Sequence, residues 1–267
     1  MKKYSWIIPV VALMMTVSSC EIAETLGLSE EEVVEGLKTA LEIGADSSTS
    51  RLSAVDGYYG DAAVKILLPP DADIILDNVN KLASVSPGIQ AFVDSEFEKL
   101  ILSINRAAED AADDALPILG SAISNLSILD GWDILQGVVP ASTKSATSDF
   151  DSLAATHYLE QETRPDLIIV FSEPMNASLQ KPLIGDVSTY DIWNNVTSKY
   201  NTAVGLYNLI PFQSSSLEPI NTDIGEFVTG KALDGLFLKV GHEEKKIRRN
   251  PFDWAVDIIQ KVFGSGE

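Results

Sequence analysis

The densest run of charge in the chain is HEEKKIRRNP, residues 242–251, and four of its ten residues are basic. Such a run could contact nucleic acid or lipid headgroups. The whole chain, however, carries a formal charge of −20, which repels phosphate backbones. A nucleic-acid surface also needs a larger basic face with stacking aromatic residues. We therefore expect no nucleic-acid partner.

The same run has the pattern of a helix end. Apolar residues upstream recur at helical spacing, and Ile247 continues their stripe. Glu244 and Arg248 stand four residues apart, in the order that favours a helical ion pair. Cations in the last turns complement the helix dipole, and Asn250 followed by Pro251 can end the helix. The pattern thus predicts an amphipathic helix whose charges are structural.

The remaining residues of chemical interest form no catalytic motif. The chain has two histidines, His157 and His242, and neither has a second ligand at zinc-type spacing. The acidic run EDAADD, residues 109–114, could bridge a divalent ion, but a solvated acidic helix face is far more common. No nucleotide-binding or nucleophile motif occurs. We predict no catalytic residue, no metal site and no cofactor. A pair of carboxylates that meet only in the folded chain is the alternative left open.

One ion pair is predicted inside the fold. Asn105 and Arg106 lie on a helix dense in apolar residues, where a partly buried arginine requires a carboxylate partner. The predicted helix near the C-terminus carries three candidate carboxylates. We predict that Arg106 pairs with Asp234, Glu243 or Glu244, in a structural ion-pair network that fixes the register of the helices.

The N-terminus has the pattern of a signal peptide. Two lysines precede an apolar run that is too short and wrongly flanked to span a membrane. The residues Val17-Ser18-Ser19-Cys20 resemble the lipobox of bacterial lipoproteins, and Cys20 is the only cysteine. The resemblance implies a signal peptide over 1–19, lipidation of Cys20, and a short tether over 20–28. A lipid anchor on Cys20 is thus the expected contact with the membrane.

Lipidation of Cys20 leaves no cysteine for a disulfide, so core burial has to stabilise the fold. Loss of Lys2 and Lys3 with the signal changes the formal charge from −20 to −22. Glu21 is not the aspartate that retains some lipoproteins at the inner membrane. We therefore favour an outer-membrane location facing the periplasm.

Hydrophobic periodicity predicts an all-α protein. Ser29 and Glu32 form the pattern of a capping box, and the long stripe after Ser86 is strongly helical. We expect a single multi-helix bundle over 29–264, with helices broken at prolines and a loop insertion at about 137–152. The expected helices cover Ser29 to Leu52, Asp71 to Ala83, Ser86 to Pro117, Ile118 to Leu126, Asp130 to Leu135, Ala154 to Leu183 with interruptions at Pro165 and Pro174, Tyr190 to Tyr200, and Ile224 to Phe263 with an interruption at Asn250 and Pro251.

Four segments together are similar to domain-of-unknown-function family 4197, a group of bacterial envelope proteins. They are DGYYGDAAVKILLPP (56–70), NRAAEDA (105–111), AATHYLEQET (154–163) and VTGKALDGLFLKVGHEEKKIRRNP (228–251). The similarity extends roughly from Leu26 to Gly264. It implies a mostly helical, periplasm-facing domain, and the family has no assigned catalytic residues.

These observations favour a lipid-anchored envelope protein that binds a partner protein or an apolar small molecule without catalysis. An assembly or structural role in the envelope is the second hypothesis. A carboxylate-dependent hydrolase acting on envelope glycan or peptide is the third, motivated only by the abundance of acidic residues.

Overall fold

The computed structural model describes residues 27–139, 150–211 and 216–265. Within these ranges the chain forms eight α-helices and no β-strand, which confirms the all-α prediction. The helices are α1 (Glu30–Leu52), α2 (Pro70–Leu82), α3 (Ile89–Asn125), α4 (Gly131–Leu135), α5 (Ala154–Gln180), α6 (Thr189–Asn208), α7 (Ile224–Arg249) and α8 (Asp257–Phe263), with a 3-10 turn at Pro251–Asp253.

Two helices run through prolines at which the sequence predicts an end or an interruption. Helix α3 continues through Pro117, and α5 continues through both Pro165 and Pro174. Each proline removes one backbone hydrogen bond and costs about 3 kcal/mol in a helix interior. The two helices pack against each other over long buried faces, and this packing outweighs the local loss. The predicted breaks at these prolines are therefore wrong.

The helix starts were predicted with mixed success. The capping box at the start of α1 is confirmed, because Ser29 accepts from the backbone N–H of Glu32 and Glu32 accepts from that of Ser29. The second and third helices were expected to begin at Asp71 and at Ser86. Instead, α2 starts after Pro69, and α3 starts after Gly88, which adopts a left-handed conformation at φ +81°.

One hydrophobic cluster includes residues from all eight helices. Helix α7 packs mainly on α1 and α5, and α3 packs on α1, α5 and α6. Helix α7 makes a close approach at Gly235, where an added Cβ would lie 2.8 Å from the ring of Tyr58. A second, smaller cluster joins α1, α7 and α8 through Ala40, Ile247 and Ile259.

The predicted signal peptide, Cys20 and most of the predicted loop insertion, residues 140–149, lie outside the described residues. Among the helices that the structure describes, none combines the length and apolarity required to cross a membrane.

Candidate functional site

Residues 56–70 form a segment that is irregular as far as Pro69, lies between α3 and α7 and is held by buried side chains. The carboxylate of Glu109, which is 4% exposed, accepts from the backbone N–H groups of Tyr58 and Tyr59 at 3.1 and 3.0 Å. The side chain of Asn105 accepts from the N–H of Ile66 and donates to its carbonyl. We call this arrangement of Glu109 and Asn105 the loop clamp.

Arg106 completes the loop clamp. Its guanidinium donates to Glu109, three residues along α3, and to Asp56 at the start of the segment. Partial burial lowers the pKa of the guanidinium, but the two hydrogen bonds and the negative charges of Glu109 and Asp56 together outweigh this effect and raise the pKa overall. Arg106 thus neutralises the buried carboxylate that binds the loop.

The predicted partners of Arg106 were wrong. The three acids lie on α7, which faces α1 and α5 more than α3. Asp234 pairs with Arg164 and Lys231. Glu243 pairs with Arg51 and Lys246, and Glu244 pairs with Arg248. The expected network is therefore divided into separate ion pairs, and the nearer acids Glu109 and Asp56 neutralise Arg106.

Two further contacts fix the segment to α7. The hydroxyl of Tyr58 donates to the carbonyl of Ala232 at 2.8 Å, and burial raises the pKa of this hydroxyl. Lys239 donates to Asp61. This hydrogen bond, together with one from the N–H of Ala63, lowers the pKa of the Asp61 carboxyl. The segment is thus held from both sides.

A second buried carboxylate joins α7 to the start of α5. Glu244 is fully buried and accepts from the N–H groups of Ala155 and Thr156 at 3.0 and 2.8 Å, and from the Thr156 hydroxyl. The first N–H groups of a helix have no partner within the helix, and a negative charge suits them. Glu244 therefore serves as the cap of α5, although it lies 88 residues beyond Thr156 in sequence.

Arg248 extends this arrangement to α4. It donates to Glu244 at 2.9 Å, as the four-residue spacing predicted, and it also donates to the carbonyls of Leu135 and Ile134 at the end of α4. We call Glu244 and Arg248 the helix clamp. Together they form hydrogen bonds with free N–H groups at the start of α5 and with free carbonyls at the end of α4. The run HEEKKIRRNP is indeed a helix end, with α7 ending at Arg249 before Asn250.

Two other residues singled out from the sequence, Asp110 and His157, also have structural partners. Asp110 accepts from Ser178 and Lys181; burial would raise the pKa of its carboxyl, but these two bonds lower it overall. Glu109 and Asp110 therefore point to different partners. The Nδ1 atom of His157 lies 2.6 Å from a carboxylate oxygen of Asp151. Among the described residues no cluster of three metal-ligating side chains occurs.

The four motif segments thus meet in space as the two clamps and the helices that carry them. A family model described as a protein of unknown function, DUF4197, matches residues 27–264. The chain belongs to the DUF4197 family. No curated protein and no solved structure shows significant similarity to it. The similarity of the motif segments to this family is therefore confirmed, and the structure accounts for their polar residues as a scaffold.

A surface groove lies beside this scaffold, between the second half of α3 and the middle of α5. It encloses about 710 Å³, which is within the range of ligand-binding sites. Buried Leu126 and Leu167 line it together with Ile118, Ala122 and Val170, which are partly or largely exposed. Its polar lining residues are Ser121, Asn125, Ser127, Glu162, Thr163 and Asp166. Sequence patterns did not single out this groove, because no motif falls on both of its walls.

The helix clamp leads to a test of stability. Replacing Glu244 with Gln puts an amide N–H₂ among hydrogen-bond donors and leaves Arg248 without its carboxylate. We expect the free energy of unfolding to fall by about 3 to 5 kcal/mol, as when one partner of a buried ion pair is removed. Urea unfolding followed by circular dichroism measures this. Lys245→Gln, at an exposed position of the same helix, is the control and should change little. A Glu244→Gln variant as stable as the control would contradict the role of the clamp.

Proposed function

We propose that this protein is a lipid-anchored envelope protein whose helical domain is a non-enzymatic binding module, with the groove between α3 and α5 as its binding surface. The observation that carries the proposal is the contrast between two sets of polar residues. The acids of the clamps are buried and fully bonded. Within the described ranges, Ser121, Asn125, Glu162 and Asp166 in the groove have no side-chain hydrogen bond or ion pair.

The apolar lining supports the same proposal. The floor of the groove is formed by leucines, and the side chain of Val170 in its wall is 54% exposed. Exposed apolar surface that is bordered by polar groups is typical of binding sites. The lining residues from Pro117 to Asn125 on α3 would extend about 12 Å along the helix axis, which is enough for a helical ligand of about two turns or an elongated small molecule.

The solvent exposure of the two groove carboxylates favours binding over hydrolysis. Glu162 and Asp166 are both exposed to solvent. Exposed carboxylates are better suited to attract a cation than to transfer a proton.

The anchor is tested by the mass of the purified chain. The lipobox at Val17–Cys20 supports cleavage before Cys20, so we expect a chain that starts at Cys20 and carries the added mass of acyl groups. Cys20→Ser should lose both the added mass and the association with membranes. Recovery of Cys20→Ser in the membrane fraction to the same extent as the native chain would contradict lipid anchoring.

The groove is tested by site-specific cross-linking of the full chain in cells. A photoreactive amino acid at Val170 should give one discrete adduct, whereas the same group at Leu209, which directly follows α6 and is 79% exposed, should not. Ala122→Trp fills the groove and should abolish the adduct. Ala91→Trp, at an exposed position near the start of α3, is the matched control and should preserve it. Equal adducts from both positions, or an adduct that Ala122→Trp leaves intact, would contradict the proposal.

A further inference from the structure

The electrostatics of the α3–α5 groove define the chemistry of its partner. Glu162 and Asp166 stand four residues apart on α5, so they lie one turn apart on the same helix face. Both are exposed, and neither pairs with a cation among the described residues.

Backbone carbonyls add to the negative potential of the groove. The helical hydrogen bond to the carbonyl of Val170 would come from residue 174, which is proline and has no N–H. On the other wall, α3 ends at Asn125, so the negative end of its dipole lies at the groove. Its last carbonyls are only partly used, with that of Ser124 accepting from Lys38. Carboxylates, a freed carbonyl and a helix end therefore all favour hydrogen-bond donors with positive charge.

The groove between these polar groups is apolar. Leu126, Leu167 and Val170 can contact an apolar face, and the lining on each helix covers between two and three turns. A helix that lies in a groove presents apolar residues at spacings of three and four and polar residues beside them. Basic side chains one turn apart on such a helix would match the spacing of Glu162 and Asp166.

We propose that the groove binds an amphipathic helix of a partner protein, with apolar residues facing Leu126 and Leu167 and with two basic residues, one turn apart, facing Glu162 and Asp166. This inference depends on the groove being the binding surface. It adds the sign of the partner's charge and the conformation of the bound segment. The apolar contact supplies most of the affinity, and the charges select the partner and its register.

The probe for this inference is a helical peptide of about 14 residues with leucine on one face and lysine on the other. It is titrated by fluorescence anisotropy into the mature chain carrying Cys20→Ser, which retains every described residue. A second peptide with glutamate in place of lysine has the same apolar face. We expect the lysine peptide to bind, with an affinity that falls as salt is added, and the glutamate peptide not to bind.

The chain offers a closely matched pair of charge variants. Glu162→Gln with Asp166→Asn removes the two groove charges. Asp94→Asn with Glu98→Gln removes one aspartate and one glutamate at the same spacing on an exposed face of α3, roughly 28 Å along the helix from Pro117. Both variants change the net charge equally. The groove pair should weaken binding of the lysine peptide roughly tenfold at low salt, and the control pair should change it less than twofold.

Equal weakening by both pairs would show attraction to an acidic chain in general and would overturn the inference. No binding of the lysine peptide, or no effect of the groove pair, would overturn it as well. The Ala122→Trp variant distinguishes failure of this inference from failure of the proposed function. If Ala122→Trp abolishes binding and the groove charges do not matter, the groove is the binding surface but its partner is not selected by charge. If Ala122→Trp has no effect, the groove itself is wrong.

Discussion

A buried carboxylate has to find enough donors to replace its lost hydration, and in this protein two of them organise the fold. Taking an ion out of water costs several kcal/mol, which good hydrogen-bond geometry must offset. Glu109 meets this requirement with two backbone N–H groups and Arg106. Glu244 meets it with two backbone N–H groups, a hydroxyl and Arg248. Since the backbone donors come from distant parts of the chain, each carboxylate determines where another element lies.

The two clamps explain why the acids and arginines that they contain are not free to bind a ligand. Their acids and arginines bond to each other and to backbone, and they position the segment 56–70 and the start of α5. Helix α5 also forms one wall of the groove. The groove thus depends on a wall whose position Glu244 determines, while its own polar residues remain available for a partner. A binding module is expected to have this arrangement, in which a rigid scaffold positions a surface that carries charged groups without partners.

The fold class and most helices could be predicted from the sequence, because hydrophobic periodicity and capping are local properties. The capping box of Ser29 and Glu32 and the pair of Glu244 with Arg248 are examples, since both lie within one turn. The partner of Arg106 could not be predicted, because it depends on which helices face each other. The continuity of α5 through Pro165 was missed for a similar reason: packing against α3 and α7 outweighs the local cost. The groove is formed by two walls far apart in sequence, so no local pattern indicates it.

Residue-level hydrogen exchange of the backbone amides tests the central claim most directly. The amides of Ala155 and Thr156 lie in the first turn of a helix, where exchange is usually fast, yet Glu244 accepts from both. The amides of Tyr58 and Tyr59 lie in an irregular segment, yet Glu109 accepts from both. We predict that all four exchange as slowly as amides in the middle of α3. Rates as fast as those of Gln90 and Ala91, in the first turn of α3 where no side chain caps the helix, would contradict the account.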